Sequence, residues 1–99
     1  MSYQLLFTAS AKEDLLRLYD FLLENDIQSA ERAQSEIRRA FQLLQEFPFS
    51  CRKFNQDNPF LRELVIPFGS SGYVALFEIE DKHTVTVIAV RHQREEDYH

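Results

Sequence analysis

The stretch YVALFEIE-DK-HTVTVIAVR, residues 73–91, decides the fold. It places Tyr73, Ala75, Phe77 and Ile79 at every second position, the period of a strand with one buried face. Residues 83–91 are rich in Val and Thr, which suit a pleated, packed surface. There Val85, Val87 and Ala89 are expected on one face, and Thr84, Thr86, Ile88 and Val90 on the other. Apolar side chains on both faces imply a central strand. Asp81-Lys82 allows only a short connection, so the two strands should pair antiparallel.

Upstream, residues 61–66 read LRELVI, a further strand closed by Pro67, with a turn at Gly69-Ser70-Ser71-Gly72. Residues 48–59 lack a period and are expected to be irregular. Before them the spacing becomes helical. Ala33, Ile37, Ala40, Leu44 and Phe47 form one seam, with Phe41 beside it in the core, and Pro48 ends the helix. Ala11, Leu15, Leu18 and Leu22 form an earlier seam, with Glu13 and Arg17 able to pair on the outer side. Ser10-Ala11-Lys12-Glu13 fits a capping box, with Thr8 as a rival cap. Asn25-Asp26 separates the helices, and Asp26 or Ser29 caps the second. Residues 3–7 are a first strand. The expected fold class is α+β: an N-terminal strand, then an antiparallel helical hairpin packed on a mostly antiparallel sheet that a C-terminal three-stranded meander completes.

The bounds are narrow. Ninety-nine residues give room for one domain spanning 1–99. The apolar share of 44% and charged share of 27% describe a globular chain, not a disordered one. Sixteen acids against eleven bases leave a net charge of −5, which argues against a general nucleic-acid binder. The lone Cys51 can form neither an intrachain disulfide nor a cysteine zinc cage, and it suits a cytoplasmic location. As a nucleophile it has no base beside it in sequence. No apolar run is long enough to span a membrane, and the N-terminus lacks the marks of a signal peptide. Two glycines cannot build a phosphate-cradling loop. His83 and His92 would stand at opposite ends of one strand, roughly 30 Å apart, and His99 lies in the tail, so no metal and no cofactor is expected.

Several local signatures, in this order, resemble the RelE/ParE superfamily of toxins from bacterial type II toxin–antitoxin modules. Residues 8–15 resemble a T-x-x-A-x-x-D-L opening, carried by Thr8, Ala11, Asp14 and Leu15. Glu46-Phe47-Pro48 resembles the stop of the second helix, and Leu61-Arg62-Glu63 an L-R-E strand. Residues 73–80 and 88–94 resemble the last two strands and their basic exit. The resemblance implies a toxin silenced by a cognate antitoxin. It implies one of two targets: DNA gyrase, as for ParE-like members, or the ribosome and its mRNA, as for RelE-like endoribonucleases. A non-toxic relative that only binds an antitoxin is a further alternative. No sequence-specific DNA binding by the chain itself is expected.

A metal-free ribonuclease needs a base for the 2′-hydroxyl, an acid for the leaving oxygen and cations for the phosphorane. Arg52, Lys53, Arg62, Arg91, His92 and Tyr98 are the available side chains, with Arg62 and Arg91 or His92 able to face one cleft. Arg62 beside Glu63 also reads as an ordinary exposed strand pair. Across residues 50–77 the bases exceed the acids by only one, thin for gripping ribosomal RNA. The balance favours the ParE-like side, with no catalysis and with Arg91, His92, Arg94 and Tyr98 as the target-binding surface. Phe49, Phe54, Phe60 and Phe68 fall in irregular segments and are expected to bind the antitoxin or to pack in the core.

Overall fold

The alternating segments become neighbouring strands of one sheet. The computed structural model describes residues 2–95, in the order β1 (Gln4–Phe7), α1 (Ala9–Asn25), α2 (Ile27–Glu46), a 3-10 turn at Pro48–Ser50, β2 (Arg52–Lys53), β3 (Leu61–Phe68), β4 (Ser71–Ile79) and β5 (Thr84–His92). The five strands lie in the order β1-β5-β4-β3-β2. β1 runs parallel to β5, and the remaining pairs are antiparallel. The helical hairpin covers one face, α1 lying over β5 and α2 over β3. Between helices and sheet sits a core built on Ala11, Leu18, Ala33, Phe41, Leu44, Ile66, Tyr73, Ala75, Phe77, Val85, Val87 and Val90. The fold class follows the expected α+β plan.

Asp26 alone joins the helices. Its N–H donates to the Leu22 carbonyl, closing α1, and its carboxylate accepts from the Gln28 N–H, opening α2. α1 is capped by Thr8 and not by Ser10. Strand β1 ends at Phe7, so Thr8 is the last extended residue, and its hydroxyl accepts from the Ala11 N–H at 3.0 Å. The same hydroxyl donates to the Ile88 carbonyl at 2.7 Å, a tie to the sheet that fixes where the helix starts. Glu13 does not hold Arg17, which pairs instead with Asp14 and Glu95. Phe41 is in the core, but Phe47 is 61% exposed because the helix stops at Glu46 and turns Phe47 off the seam.

The region 48–59 contains a strand that has no sequence period. Arg52 and Lys53 pair with Glu63 and Arg62, too short a run for alternation to be visible. β3 continues through Pro67 to Phe68, and Ser71-Gly72 belong to β4, so the turn is only Gly69-Ser70. Gly69 takes a φ of 60°, which a glycine reaches without steric cost. Gly72 has a different reason. It lies opposite Pro67, and a Cβ there would strike the Ile66 carbonyl.

The largest departure is in β5. Leu76 pairs with Ala89 and Phe77 with Val87, leaving Ile88 as a one-residue bulge. Alternation reverses there. Val85 and Val87 face the helices as expected, but beyond the bulge it is Val90, not Ala89, that joins the core cluster.

Candidate functional site at the exit of the last strand

β1 stops pairing at Phe7–Val87, whereas β5 runs on to His92. The outer edge of β5 therefore needs partners that no strand supplies. α1 supplies them. Asp14, only 7% exposed, accepts from the Val90 N–H at 2.9 Å. With Thr8 on the Ile88 carbonyl, α1 grips the bulge from both sides. One turn on, Arg17 lies 3.6 Å from the Asp14 carboxylate and 3.4 Å from that of Glu95. Glu95 accepts from the His92 N–H at 2.8 Å, and its carbonyl accepts from the Arg91 guanidinium at 2.8 Å. The strand exit is thus tied to α1 through polar groups at every step.

Alternation puts Arg91 and His92 on opposite faces, and the bulge decides which residue takes which face. His92 faces the helix side, edge-on to Tyr73 with ring centroids 5.6 Å apart. Its Nδ1 accepts from the Arg94 N–H at 3.1 Å, and a backbone N–H can only donate, so Nδ1 carries no proton. The ring proton is on Nε2, which donates to the Ser71 hydroxyl at 3.0 Å. That tautomer cannot take a proton from Ser71, so the pair is no nucleophile and base. Burial pushes the Tyr73 phenol up, keeping it protonated. Around these groups lies an open groove of about 700 Å³ with Leu18, Phe21, Leu22, Phe68 and Tyr73 on its apolar side. Arg17, Ser71, His92, Arg94 and Glu95 supply its polar side. Phe21, on α1, is 64% exposed at the groove.

Arg91 faces away from the helices, toward Glu63. The Glu63 carboxylate is only 9% exposed and lies between two guanidiniums. Arg52 holds its Oε1 through Nε and Nη2, both at 3.0 Å, and Arg91 stands 4.0 Å from Oε2. Arg91 also donates to the carbonyls of His92, Gln93 and Glu95. The expectation of an exposed Arg62–Glu63 strand pair fails here because Glu63 turns to the far face and is claimed by Arg52 across the β2–β3 pair.

Arg62 sits elsewhere. It donates to the carbonyls of Pro59 (2.7 Å), Phe49 (3.1 Å) and Cys51 (2.7 Å), with its guanidinium 5.2 Å over the Phe49 ring. It fastens the segment before β3 to the sheet. The cleft expected between Arg62 and Arg91 or His92 does not form. Arg91 is in register with Val74 and hence Val65, on the face opposite Arg62. His92 shares the face of Arg62 but aligns with Ile66, four positions along β3, roughly 13 Å.

The four phenylalanines also divide. Phe49, Phe54 and Phe60 are exposed, Phe49 and Phe60 touching edge-on at 6.2 Å. Phe68 stacks on Tyr73 at 6.1 Å near the other end of β3, roughly 26 Å from Phe60. So Phe68 shares a groove with His92 and Arg94, not with the other three. Lys53 lies exposed on β2. Tyr98 lies outside the described residues, as does His99. His83 precedes β5 and His92 ends it. Among the described residues no group of three or more His, Cys, Asp or Glu side chains could hold a metal ion. Burial raises the Cys51 thiol above its usual pKa, which disfavours the thiolate.

Asp14, Arg17, Glu63 and Glu95 are the site residues that sequence reasoning passed over. Asp14 did leave a signal: a carboxylate at helical spacing with Ala11 and Leu18, inside an otherwise apolar seam. Glu63 left none.

Comparison with known proteins bears on this arrangement. The family described as the ParE toxin of the type II toxin–antitoxin system parDE matches residues 5–97. A curated relative, Toxin RelE1 of Caulobacter vibrioides, is 34% identical over 79 residues, 80% of this chain and 82% of that one. A structure of the chromosomal ParDE system from P. aeruginosa superposes with a TM-score of 0.71 at 20% identity, covering 92% of this chain and 96% of that one. The RelBE2 toxin–antitoxin complex from Mycobacterium tuberculosis gives a TM-score of 0.63 at 23% identity, covering 94% and 100%.

Proposed function

The chain belongs to the ParE toxin family of type II toxin–antitoxin systems, and on that premise we propose that it arrests growth by binding DNA gyrase and that a cognate antitoxin silences it. One observation carries the choice of a protein target. The guanidiniums that a ribonuclease would aim at a phosphorane are committed to the protein. Arg62 serves three carbonyls, and Arg91 serves three carbonyls beside Glu63. Guanidiniums held in place by protein carbonyls, and for Arg91 also by the nearby Glu63 carboxylate, are poorly placed to swing onto a developing charge. The net charge of −5 points the same way, since gripping ribosomal RNA rewards excess cations.

On this reading the chain does no chemistry. The groove at the strand exit is the target surface, with His92 and Arg94 as polar contacts and Phe21 and Phe68 as apolar ones. Binding there holds gyrase with its DNA cleaved, and the site of action is the cytoplasm. The exposed Phe49, Phe54 and Phe60 cluster is the antitoxin surface. It lies far from the groove, and a groove variant should leave antitoxin binding intact.

The test is a gyrase supercoiling and cleavage assay with purified protein. Inhibition with accumulated cleaved plasmid, abolished by combining H92A with R94A, supports the proposal. Unaltered supercoiling at concentrations that arrest growth in cells refutes it. A second reading rests on Glu63 with Arg52 and Arg91, a carboxylate and two cations on the open sheet face. If that cluster cuts RNA, induced cells will show cleaved messages, and E63Q will remove them.

A further inference from the structure

We infer that Arg17, on the first helix, is a positioning residue for the target-binding groove, acting through Glu95. The inference rests on the groove being the target surface. Of the polar contacts of that surface, His92 ends β5 and Arg94 sits in the turn that follows it. Three side-chain bonds help to shape this turn. The Glu95 carboxylate accepts from the His92 N–H, the Arg94 N–H donates to the His92 ring, and Arg91 donates to the Glu95 carbonyl. All three lie within residues 91–95 and fix the turn's own shape, while the Gln93 N–H, donating to the Gly72 carbonyl at 2.9 Å, ties the turn's first residue to β4.

Arg17 adds the tie between the far end of the turn and α1. Its Nη1 lies 3.4 Å from both Glu95 oxygens, while its Nη2 lies 3.6 Å from Asp14. Asp14 in turn is fixed to the Val90 N–H, inside the sheet. The guanidinium therefore links a buried anchor to the carboxylate that closes the turn. Its planar fork suits that task, since two carboxylates can be met from different nitrogens. Arg17 and Glu95 both line the groove, so their pairing sets its wall. The pair is partly exposed, 43% and 26% at the two side chains, and exposed pairs add little to stability. Loss of Arg17 should therefore be felt in the orientation of Arg94 more than in folding.

The experiment is a double-mutant cycle on the full chain with R17A, E95Q and R17A/E95Q. E95Q keeps an oxygen for the His92 N–H and removes the charge that Arg17 meets. Potency is read as the induction level that halves growth and as the concentration that halves gyrase supercoiling. Thermal unfolding is followed in parallel. Each single variant should lose about tenfold in potency, the double variant no more than either single, and R17K, which has no fork to meet both carboxylates, should regain only part of the loss. Melting temperatures should stay within about 3 °C of the parent. Single variants of full potency, or losses that multiply in the double variant, would overturn the inference. A chain that arrests growth without touching gyrase would instead overturn the choice of target, and the growth readout would still decide the role of Arg17.

Discussion

Removing the Asp14 carboxylate tests the link between α1 and β5 most directly. Asp14→Ala leaves the Val90 N–H in a buried site where Asp14 had been its acceptor. A buried donor stripped of its acceptor costs about 1–3 kcal/mol. The pairing of Asp14 with Arg17, whose side chain is 43% exposed, adds only about 0.5 kcal/mol. The sum is about 1.5–3.5 kcal/mol. For a domain of this size about 1 kcal/mol moves the melting temperature by 4–8 °C, so a fall of about 6–28 °C is expected. Asp14→Asn keeps an acceptor oxygen and should cost only about 1 kcal/mol. Urea unfolding followed by circular dichroism, with thermal melts beside it, measures both variants. If Asp14→Ala stays within about 0.5 kcal/mol of the parent, or if Asn costs as much as Ala, the carboxylate does not serve as the missing ladder partner.

Further outcomes follow from particular residues. Gly72→Ala should destabilise by about 3 kcal/mol or more, because the new Cβ meets the Ile66 carbonyl. Gly69→Ala, with open space but a φ of 60°, should cost only about 1–2 kcal/mol; equal unfolding midpoints for the two would contradict this. Arg62→Ala should cost about 2 kcal/mol and open residues 49–59 to limited proteolysis, since three carbonyls lose their donor; an unchanged cleavage pattern would count against that role. Hydrogen bonds from the Ser29 hydroxyl and the Gln28 N–H hold the Asp26 carboxyl below its ordinary 3.8, so the charge stabilises the fold above that pH and ceases to do so as pH falls through the lowered value. Asp26→Asn, which still caps, should be less stable than the parent at neutral pH and match it in strong acid; a gap that persists in acid would refute the linkage.

Much of the fold was legible because its signals are local. Tyr73, Ala75, Phe77 and Ile79 alternate as a strand must, and Ala11, Leu18, Ala33 and Leu44 recur as helices must. What escaped depends on partners distant in sequence. Arg52-Lys53 is a strand only because β3 lies beside it. The start of α1 was set by Thr8 reaching Ile88, 80 residues away. Glu63 and Arg91 are brought together by two strand pairings, and neither residue carries a local mark of it. Of the proposed target-binding surface, His92 and Arg94 were legible as the polar end of the last strand. Arg17 was not, since an arginine on a solvated helix face looks the same whether or not a carboxylate waits opposite.

The bulge at Ile88 makes the last strand a matter of parity. The number of residues between Val87 and the chain exit decides which side chain each surface receives. With the extra residue, His92 enters the groove and Arg91 reaches Glu63. Straighten the bulge while keeping every residue, and simple alternation would exchange them, presenting a guanidinium to the groove and an imidazole to the open face. Composition would not change, and every strand could keep its neighbours. Deleting Ile88 would keep both assignments, whereas deleting Val90 with the bulge retained would exchange the chemistry of two faces at once. In this chain, which face each side chain of the strand exit takes depends on the count along β5 together with the bulge, not on any single residue type.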